Sequence, residues 1–389
     1  MRKILCLTSI DLEGRVYGAT LRTRHLFQHL AQLGTVELIF ASDFATAIHG
    51  PSIGGYPLVD VFTFPKKRWT LRERLQNEFD PRFLNTEHRS ASAESRARLE
   101  QHLAGYDLIW IHGLRIANRF GRWHWPRTVL DIDDIPSTLS TTSAAAATTI
   151  AQKLKHRRQA FLWRRRERLL PERFSAVCVC SESDRQLLGG GDRVYVIPNG
   201  YTIPACLPER APVSPPRIGF VGNFGHAPNR NGIKWFIREV WPLLRQAQPD
   251  LRLRLAGGGV DGLDILPSER VDALDWVDDM AQEMATWSLT IVPIRFGGGT
   301  RVKLAEAFSR KCPVVSTSVG AYGYGVTDGR ELRIADTAEA FSQACSEVLV
   351  DPIKAQEMSS RAWERFLAEW SWDAQFSRVA AAANQVLNA

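Results

Sequence analysis

The chain has 389 residues, of which 44% are hydrophobic and 23% charged, the balance of a soluble globular protein with material for two cores. That composition excludes disorder as the main theme, and no apolar run approaches the roughly 20 residues that a membrane-spanning helix needs. The formal net charge of +7 suits a polyanionic partner, an anionic membrane surface or a phosphorylated ligand.

The first segment, MRKILCLTSI, reads as a β-strand and not as a signal peptide, because its apolar run is short and Asp11 and Glu13 follow at once. The protein is therefore expected in the cytoplasm. A helix is predicted over Leu21 to Leu33, with Leu26, Phe27, Leu30 and Leu33 on one face and Gly34 as its stop. VELIFAS is the next strand, and DLIWIHG, TVLDIDD, AVCVCSES and VYVIPNG follow. TTSAAAATT near residue 145 is a candidate mobile loop. Short apolar strands alternating with helices predict a parallel sheet covered on both faces.

Residues 204 to 216, PACLPERAPVSPP, contain five prolines and no periodicity, as an interdomain linker would. The strand–helix pattern then restarts. RIGFVGN is a strand, Gly232 to Leu244 a helix and LRLRLAGGG a strand, followed by SLTIVPI, TRVKLAEAFSRK and PVVSTSV. The tail from Ala355 to Leu387 reads as helical with a break near Ser371. Two such halves joined by a hinge imply a cleft at the carboxyl ends of the strands. Cys6, Cys178, Cys180, Cys206, Cys312 and Cys345 lack a C-x₂-C spacing and are expected to be buried reduced thiols.

The most informative stretch is FGGGTRVKLAE, Phe296 to Glu306. A buried strand ends at Pro293, and Gly297 to Gly299 let the backbone approach a ligand. A helix is predicted to begin near Thr300, whose hydroxyl can cap it. Such a turn binds anions, because free N–H groups and the helix dipole point into it. Arg301 and Lys303 place two positive charges where they oppose that dipole. An anion at the turn explains this conflict with the local rule. Glu306 is a candidate acceptor for ribose hydroxyls.

Three further features stand out. His112 ends DLIWIHG at the expected cleft, where an imidazole can contact a ligand or serve a structural role. Asp131, Asp133 and Asp134 form DIDD, for which helix capping or a hydrogen-bonded loop is the expectation and a metal is not. Asp134 is also a candidate to face a ligand. KLKHRRQAFLWRRRERLLPERF, residues 153 to 174, holds much of the positive excess. Leu154, Phe161, Leu162, Leu169 and Leu170 suit one buried helical face. The basic face is solvated, or docks on an anionic leaflet or a lipid-diphosphate acceptor. No module that reads bases appears, so nucleic acid is not an expected partner.

GFVGN, HAPNRNGIKWF, VDALDWVDD, GGGTRVKLAEA and PVVSTSVGAYG occur in an order that resembles the donor-binding half of GT-B glycosyltransferases, in particular the retaining family 4 group. VIPNG resembles the last turn of the N-terminal half, and SWDAQF the start of a final helix that crosses back to it. The resemblance implies an α/β GT-B fold of two facing doubly wound, Rossmann-like domains. Its divisions would be 1–206, a linker at 207–216, 217–370, and a returning helix at 371–389. It implies glycosyl transfer with retention and without a metal, from a UDP-, GDP- or dTDP-sugar to a glycan, lipid-linked or small-molecule acceptor. Surface polysaccharide, glycolipid or other glycoconjugate synthesis is the implied setting, in the cytoplasm or on the cytoplasmic membrane face.

The same resemblance assigns catalytic roles to Arg301, Lys303 and His112. It assigns donor contacts to Gly18, Arg22, Gly222, Asn223, Asn229, Val277, Gly298, Gly299, Thr300 and Glu306. Thr20 lies with Gly18 and Arg22 in GRVYGATLRTR, which resembles the family's glycine-containing loop. Relatives commonly carry a glutamate where Gly298 stands and an arginine where Asn223 stands; Asn229 or Arg230 lies near the usual lysine slot. Arg301 and Lys303 take over the diphosphate, as in relatives with GGGTRxK. The alternatives are a nucleotide-sugar epimerase of the same fold and a non-catalytic basic module for nucleic acid or membrane. A Rossmann oxidoreductase is disfavoured, since no G-x-G-x-x-G follows the first strand.

Overall fold

The computed structural model describes residues 2–14, 18–43, 50–263 and 270–388. The chain divides into two α/β units, the first made of Met1–Thr141, Leu154–Pro198 and Gln375–Ala389, the second of Thr142–Lys153 and Asn199–Ala374.

The strands of the first unit are β1 (Lys3–Thr8), β2 (Thr35–Ser42), β3 (Ser52–Ile53), β4 (Tyr56–Thr63), β5 (Leu108–His112), β6 (Trp125–Ile132), β7 (Phe174–Val179) and β8 (Val194–Val196). They form one sheet in the order β3-β4-β2-β1-β5-β6-β7-β8. Every pairing is parallel except the short β3–β4 hairpin at the edge. Ile4, Leu5, Cys6 and Leu7 of β1 are all fully buried, which explains a continuous apolar run where a one-faced strand would alternate. Leu5 and Leu7 join the core on one face, with Phe62, Phe120 and Trp125. Ile4 and Cys6 join the other, with Leu26, Phe27 and Leu30 of the helix Gly18–Ala31. Val379, Ala382, Ala383 and Val386 of the final helix, Trp372–Leu387, complete that second face.

The second unit carries β9 (Arg217–Val221), β10 (Arg252–Ala256), β11 (Val271–Leu274), β12 (Leu289–Val292), β13 (Val314–Ser316) and β14 (Arg333–Ile334). They form a parallel sheet in the order β11-β10-β9-β12-β13-β14. Its helix after β9 starts at Ala227, five residues before the predicted Gly232, because Pro228 sits in the first turn, where its missing N–H costs nothing. A π-turn over Phe236–Val240 precedes Pro242, which cannot continue the α ladder.

Each sheet reverses its strand order once, between β1 and β5 in the first and between β9 and β12 in the second. Ligands of doubly wound sheets bind at the carboxyl ends of the strands at such a switch point. The residues with chemistry in both units lie there.

The proline-rich stretch is not a free tether. Ala211 N donates to Ala285 O (3.0 Å) and Val213 N to Thr286 O (3.2 Å), and Arg210 donates to the carbonyls of Met284 and Trp287. The units separate at Pro198/Asn199, upstream of the expected linker. All six cysteines are free, and Cys206 is exposed while the other five are buried. The tract near residue 145 is partly helical, within Pro136–Ala146. Among the described residues no helix is long and apolar enough to cross a membrane.

Candidate functional site

At the second switch point two segments meet. After β9 the chain turns through Gly222 to His226 into the helix Ala227–Trp235; after β12 it passes Pro293 to Thr300 into the helix Val302–Phe308. Lys303 Nζ donates to Asn229 Oδ1 (2.5 Å), and Asn229 Nδ2 donates to Asn223 O (2.8 Å). The ammonium also stands 4.5 Å from the centre of the Phe220 ring. Gly222 faces this cluster: a Cβ there would lie 2.9 Å from Asn229 Nδ2 and 3.2 Å from Lys303 Nζ. Of the two candidates near the lysine slot, buried Asn229 therefore meets Lys303, while Arg230 is exposed. Asn223 Oδ1 accepts from Gly225 N (2.8 Å) and holds the turn.

The glycine turn is shaped by its neighbours. Gly297 has φ +142°, and a Cβ on it would lie 2.7 Å from the Arg301 guanidinium, which folds back to donate to Gly298 O. Gly299 has φ +61°. Thr142 Oγ1, in the same unit, both accepts from Gly297 N and donates to Gly297 O, each at 3.0 Å. Tyr324 Oη donates to Arg301 O (2.9 Å). Thr300 does not cap the helix as expected. The helix begins at Val302 with Arg301 as its first flanking residue, and the buried Thr300 Oγ1 has no hydrogen-bond partner within the protein.

Glu306 is more engaged than the sequence implies. It accepts from Tyr201 Oη (3.0 Å) and pairs with Arg310 (3.4 Å). Val277 follows β11 and packs, partly buried, on the core of the second unit. Its loop is tied to the site by backbone bonds: Gly257 N donates to Leu274 O and Asp275 O, and Phe224 N donates to Gly258 O.

In the first unit, His112 closes β5 and Asp131 lies beside it on β6. His112 Nδ1 is 2.8 Å from Asp131 Oδ2, while Arg22 donates to both Asp131 oxygens at 2.5 and 3.0 Å and to Ile197 O at 2.9 Å. Arg22 and Asp131 are fully buried. Arg22, to which the resemblance assigns a donor contact, is held within the unit as the partner of Asp131. Thr20 is buried beside it in sequence, and Gly18 opens the helix; Arg15 to Tyr17 of the same motif lie outside the described residues. Burial raises the Asp131 pKa, but the Arg22 charge and the bonds from His112 and Arg22 overrule it and hold the carboxyl down at about 2. Asp133 accepts from the Cys180 thiol (3.3 Å), and Asp134 is exposed. Among the described residues no group of three or more His, Cys, Asp and Glu side chains is placed to hold a metal ion.

Residues 215–351 match the family described as Glycosyl transferases group 1. The matched stretch lies within the second unit and covers about a third of the chain. A curated relative, an uncharacterized 44.6 kDa protein in the cps region of Klebsiella pneumoniae, is 25% identical over 195 residues, 45% of this chain. The match spans about half the length of that relative. Among solved structures, a sucrose-phosphate synthase from Thermosynechococcus elongatus is 18% identical over 98% of both chains, with a TM-score of 0.69. HepE of Anabaena, solved with UDP and glucose, is 17% identical over 98% of both chains, with a TM-score of 0.60. WaaG, a glycosyltransferase involved in lipopolysaccharide biosynthesis, is 14% identical, also over 98% of both, with a TM-score of 0.60. These likenesses show a GT-B fold.

The electrostatics of the second unit's site centre on Lys303. Burial, then the Arg301 charge, push its pKa down to about 7 against the opposing pull of Glu306. His226, just before the helix Ala227–Trp235, is lowered too, by partial burial and then by Lys303 and Arg301. Its place in this field was not read from the sequence, although a histidine directly ahead of Ala-Pro at a helix start was a usable signal. Thr142 was missed as well, since its partner is 155 residues away.

Two outcomes are expected. An unfolded lysine titrates near 10.4, so between about pH 7 and 10 Lys303 in the free protein is largely neutral. An anion bound there restores its charge, so binding of a nucleoside diphosphate at pH 8.5 takes up as much as about one proton. Calorimetry in buffers of different ionisation enthalpy measures this, and Lys303→Met removes it. In the first unit, Asp131→Asn strands a buried guanidinium and costs about 3–5 kcal/mol in urea unfolding. Because the folded pKa of Asp131 is depressed, its contribution is present above about pH 4 and is lost as pH falls toward 2.

Proposed function

We propose that the protein transfers a sugar from a nucleotide-diphosphate sugar to an acceptor hydroxyl. The observation that carries this reading is the polar cluster at the second switch point. Lys303, Arg301 and the unpartnered hydroxyl of Thr300 converge at a glycine turn that opens a helix. A buried hydroxyl without a partner is costly, and a phosphate oxygen at the turn would relieve it. The group 1 match over this unit supports a nucleotide sugar as the anion. HepE, a protein of similar fold, has been solved with UDP-glucose.

In this reading, the bond between the sugar anomeric carbon and the β-phosphate oxygen breaks as the acceptor oxygen bonds to that carbon. Negative charge grows on the leaving phosphate, where Lys303, Arg301 and the turn's N–H groups are already oriented to receive it. The leaving oxygen takes the acceptor proton, so the scheme needs no protein base and gives retention of configuration. The positive charge comes from side chains and not from a metal; both Asp131 oxygens are already occupied by Arg22 and His112. Glu306 and Val277 serve the nucleoside, and Gly222, Asn223, Asn229, Gly298 and Gly299 shape the donor pocket. In the first unit we assign a donor contact to Gly18, and to His112, oriented by Asp131, a contact with the sugar or the acceptor. A UDP-, GDP- or dTDP-sugar is the donor class. The cps region of the Klebsiella relative favours surface-polysaccharide synthesis in the cytoplasm.

Arg301→Ala and Lys303→Ala should each lower transfer from the preferred donor at least about 100-fold while leaving the thermal unfolding midpoint within a few degrees of the parent. The assay follows labelled sugar into acceptor for UDP-, GDP- and dTDP-sugars. Near-normal turnover in both variants would falsify this site, and an isomerised sugar formed without acceptor would assign the protein to epimerases.

A further inference from the structure

The helix Leu71–Phe79 buries none of its side chains. Nine residues without burial are too few for a stable helix on their own, so something else fixes it. It has a reciprocal capping box, with Thr70 and Glu73 satisfying each other's backbone N–H groups. At its other end Arg166 donates to Asn77 O (2.6 Å), and Arg165 to Glu78 O (3.3 Å) and Phe79 O (2.9 Å). Arg158 pairs with Glu78. These arginines belong to the basic helix Ile150–Glu167, so the two helices are joined by polar and charged bonds within the first unit.

The joint leaves the apolar side chains outside. Leu71, Leu75 and Phe79 stand at i, i+4 and i+8, on one face, and are 75%, 53% and 73% exposed. On the basic helix Leu154 and Phe161 are 60% and 61% exposed, against the expectation that both lie on its buried face. The buried residues of that helix are Ala160, Leu162, Arg166 and Glu167. Arg165 connects the two groups, since its guanidinium reaches Phe79 O and lies 5.7 Å from the centre of the Phe161 ring.

The surrounding charge is one-sided. Segments 66–80 and 154–168 contain twelve Lys and Arg against four Asp and Glu. Their net charge of +8 exceeds the +7 of the whole chain, so all of the positive excess sits at this patch. Exposed Lys66, Lys67, Arg68, Arg72, Arg74, Lys155, Arg157 and Arg164 flank the leucines and phenylalanines.

We propose that this surface docks on an anionic lipid bilayer, with Leu71, Leu75, Phe79, Leu154 and Phe161 entering the acyl boundary and the cations meeting lipid headgroups. Large apolar side chains in a basic rim bind such an interface by both terms at once. A second copy of the chain would oppose one +8 surface with another. Nucleic acid would draw on the cations and leave the aliphatic side chains without a role. The inference is independent of the donor reading and survives if that reading fails.

The test is co-sedimentation of the full-length protein with vesicles of phosphatidylcholine alone or with about one third phosphatidylglycerol. At low salt, binding to the anionic vesicles should be at least tenfold tighter, and added salt should weaken it. Leu75→Ser/Phe79→Ser/Phe161→Ser should lose at least about tenfold in vesicle affinity, with an unchanged unfolding midpoint and an unchanged thermal shift on adding UDP. Arg72→Gln and Arg74→Gln should each lose about fivefold. Equal binding to neutral and anionic vesicles, or full binding by the triple variant, overturns the proposal. So does a short DNA duplex that binds as tightly as the anionic vesicles and ignores the triple variant. A dimer seen by light scattering and dissolved by that variant overturns it in favour of self-association.

Discussion

An ammonium group packed between an asparagine, an aromatic ring and a guanidinium is an unfavourable arrangement for a protein with nothing bound. Lys303 is in that position: burial and Arg301 both disfavour its charge, and Glu306, the acid that opposes them, is engaged by Tyr201 and Arg310. Much of the second unit near the site is built around this one group. Gly222 is bare so that Asn229 and Lys303 can approach, Asn229 is held by Asn223, and Gly297 gives way to Arg301. A site that disfavours a charge in the empty protein trades stability for stronger interaction with an oppositely charged ligand, the role proposed above for a diphosphate.

The two units solve a similar topological problem with opposite electrostatics. Both place a helix after the central strand at a point where strand order reverses. In the second unit Lys303 bonds to a neutral side chain, Asn229. In the first unit the charge is internally satisfied, with Asp131 shared by Arg22 and His112. That sharing orients the His112 ring through Nδ1 and fixes an imidazole at the end of β5, which is the positioning role carboxylates often play for histidine. Arg22 holds both Asp131 and Ile197 O.

Much of the architecture is legible in the sequence, because parallel strands buried on both faces leave continuous apolar runs such as ILCLT and LIWIH. FGGGTRVKLAE stands out for a different reason: its residue choice breaks the helix-dipole rule. What stayed hidden depends on distant partners. Arg22 stands in a glycine-containing loop motif, and nothing near it in sequence announces Asp131, the partner 109 residues away. Thr300 looks like a cap until the helix start shifts to Val302. Leu154 and Phe161 fit a helical core face by spacing, yet the buried side of that helix is set by Leu162 and its neighbours. Periodicity identifies a stripe, and only packing decides which stripe faces inward.

The central claim is that the glycine turn and Lys303 together hold a nucleotide diphosphate. Its most direct test is a crystal structure of the protein with UDP, GDP or dTDP. The account predicts a phosphate oxygen within hydrogen-bonding distance of Lys303 Nζ, with another phosphate contact at the Gly297–Thr300 turn that occupies Thr300 Oγ1. A well-ordered diphosphate bound away from both, with Lys303 still held only by Asn229, would contradict it.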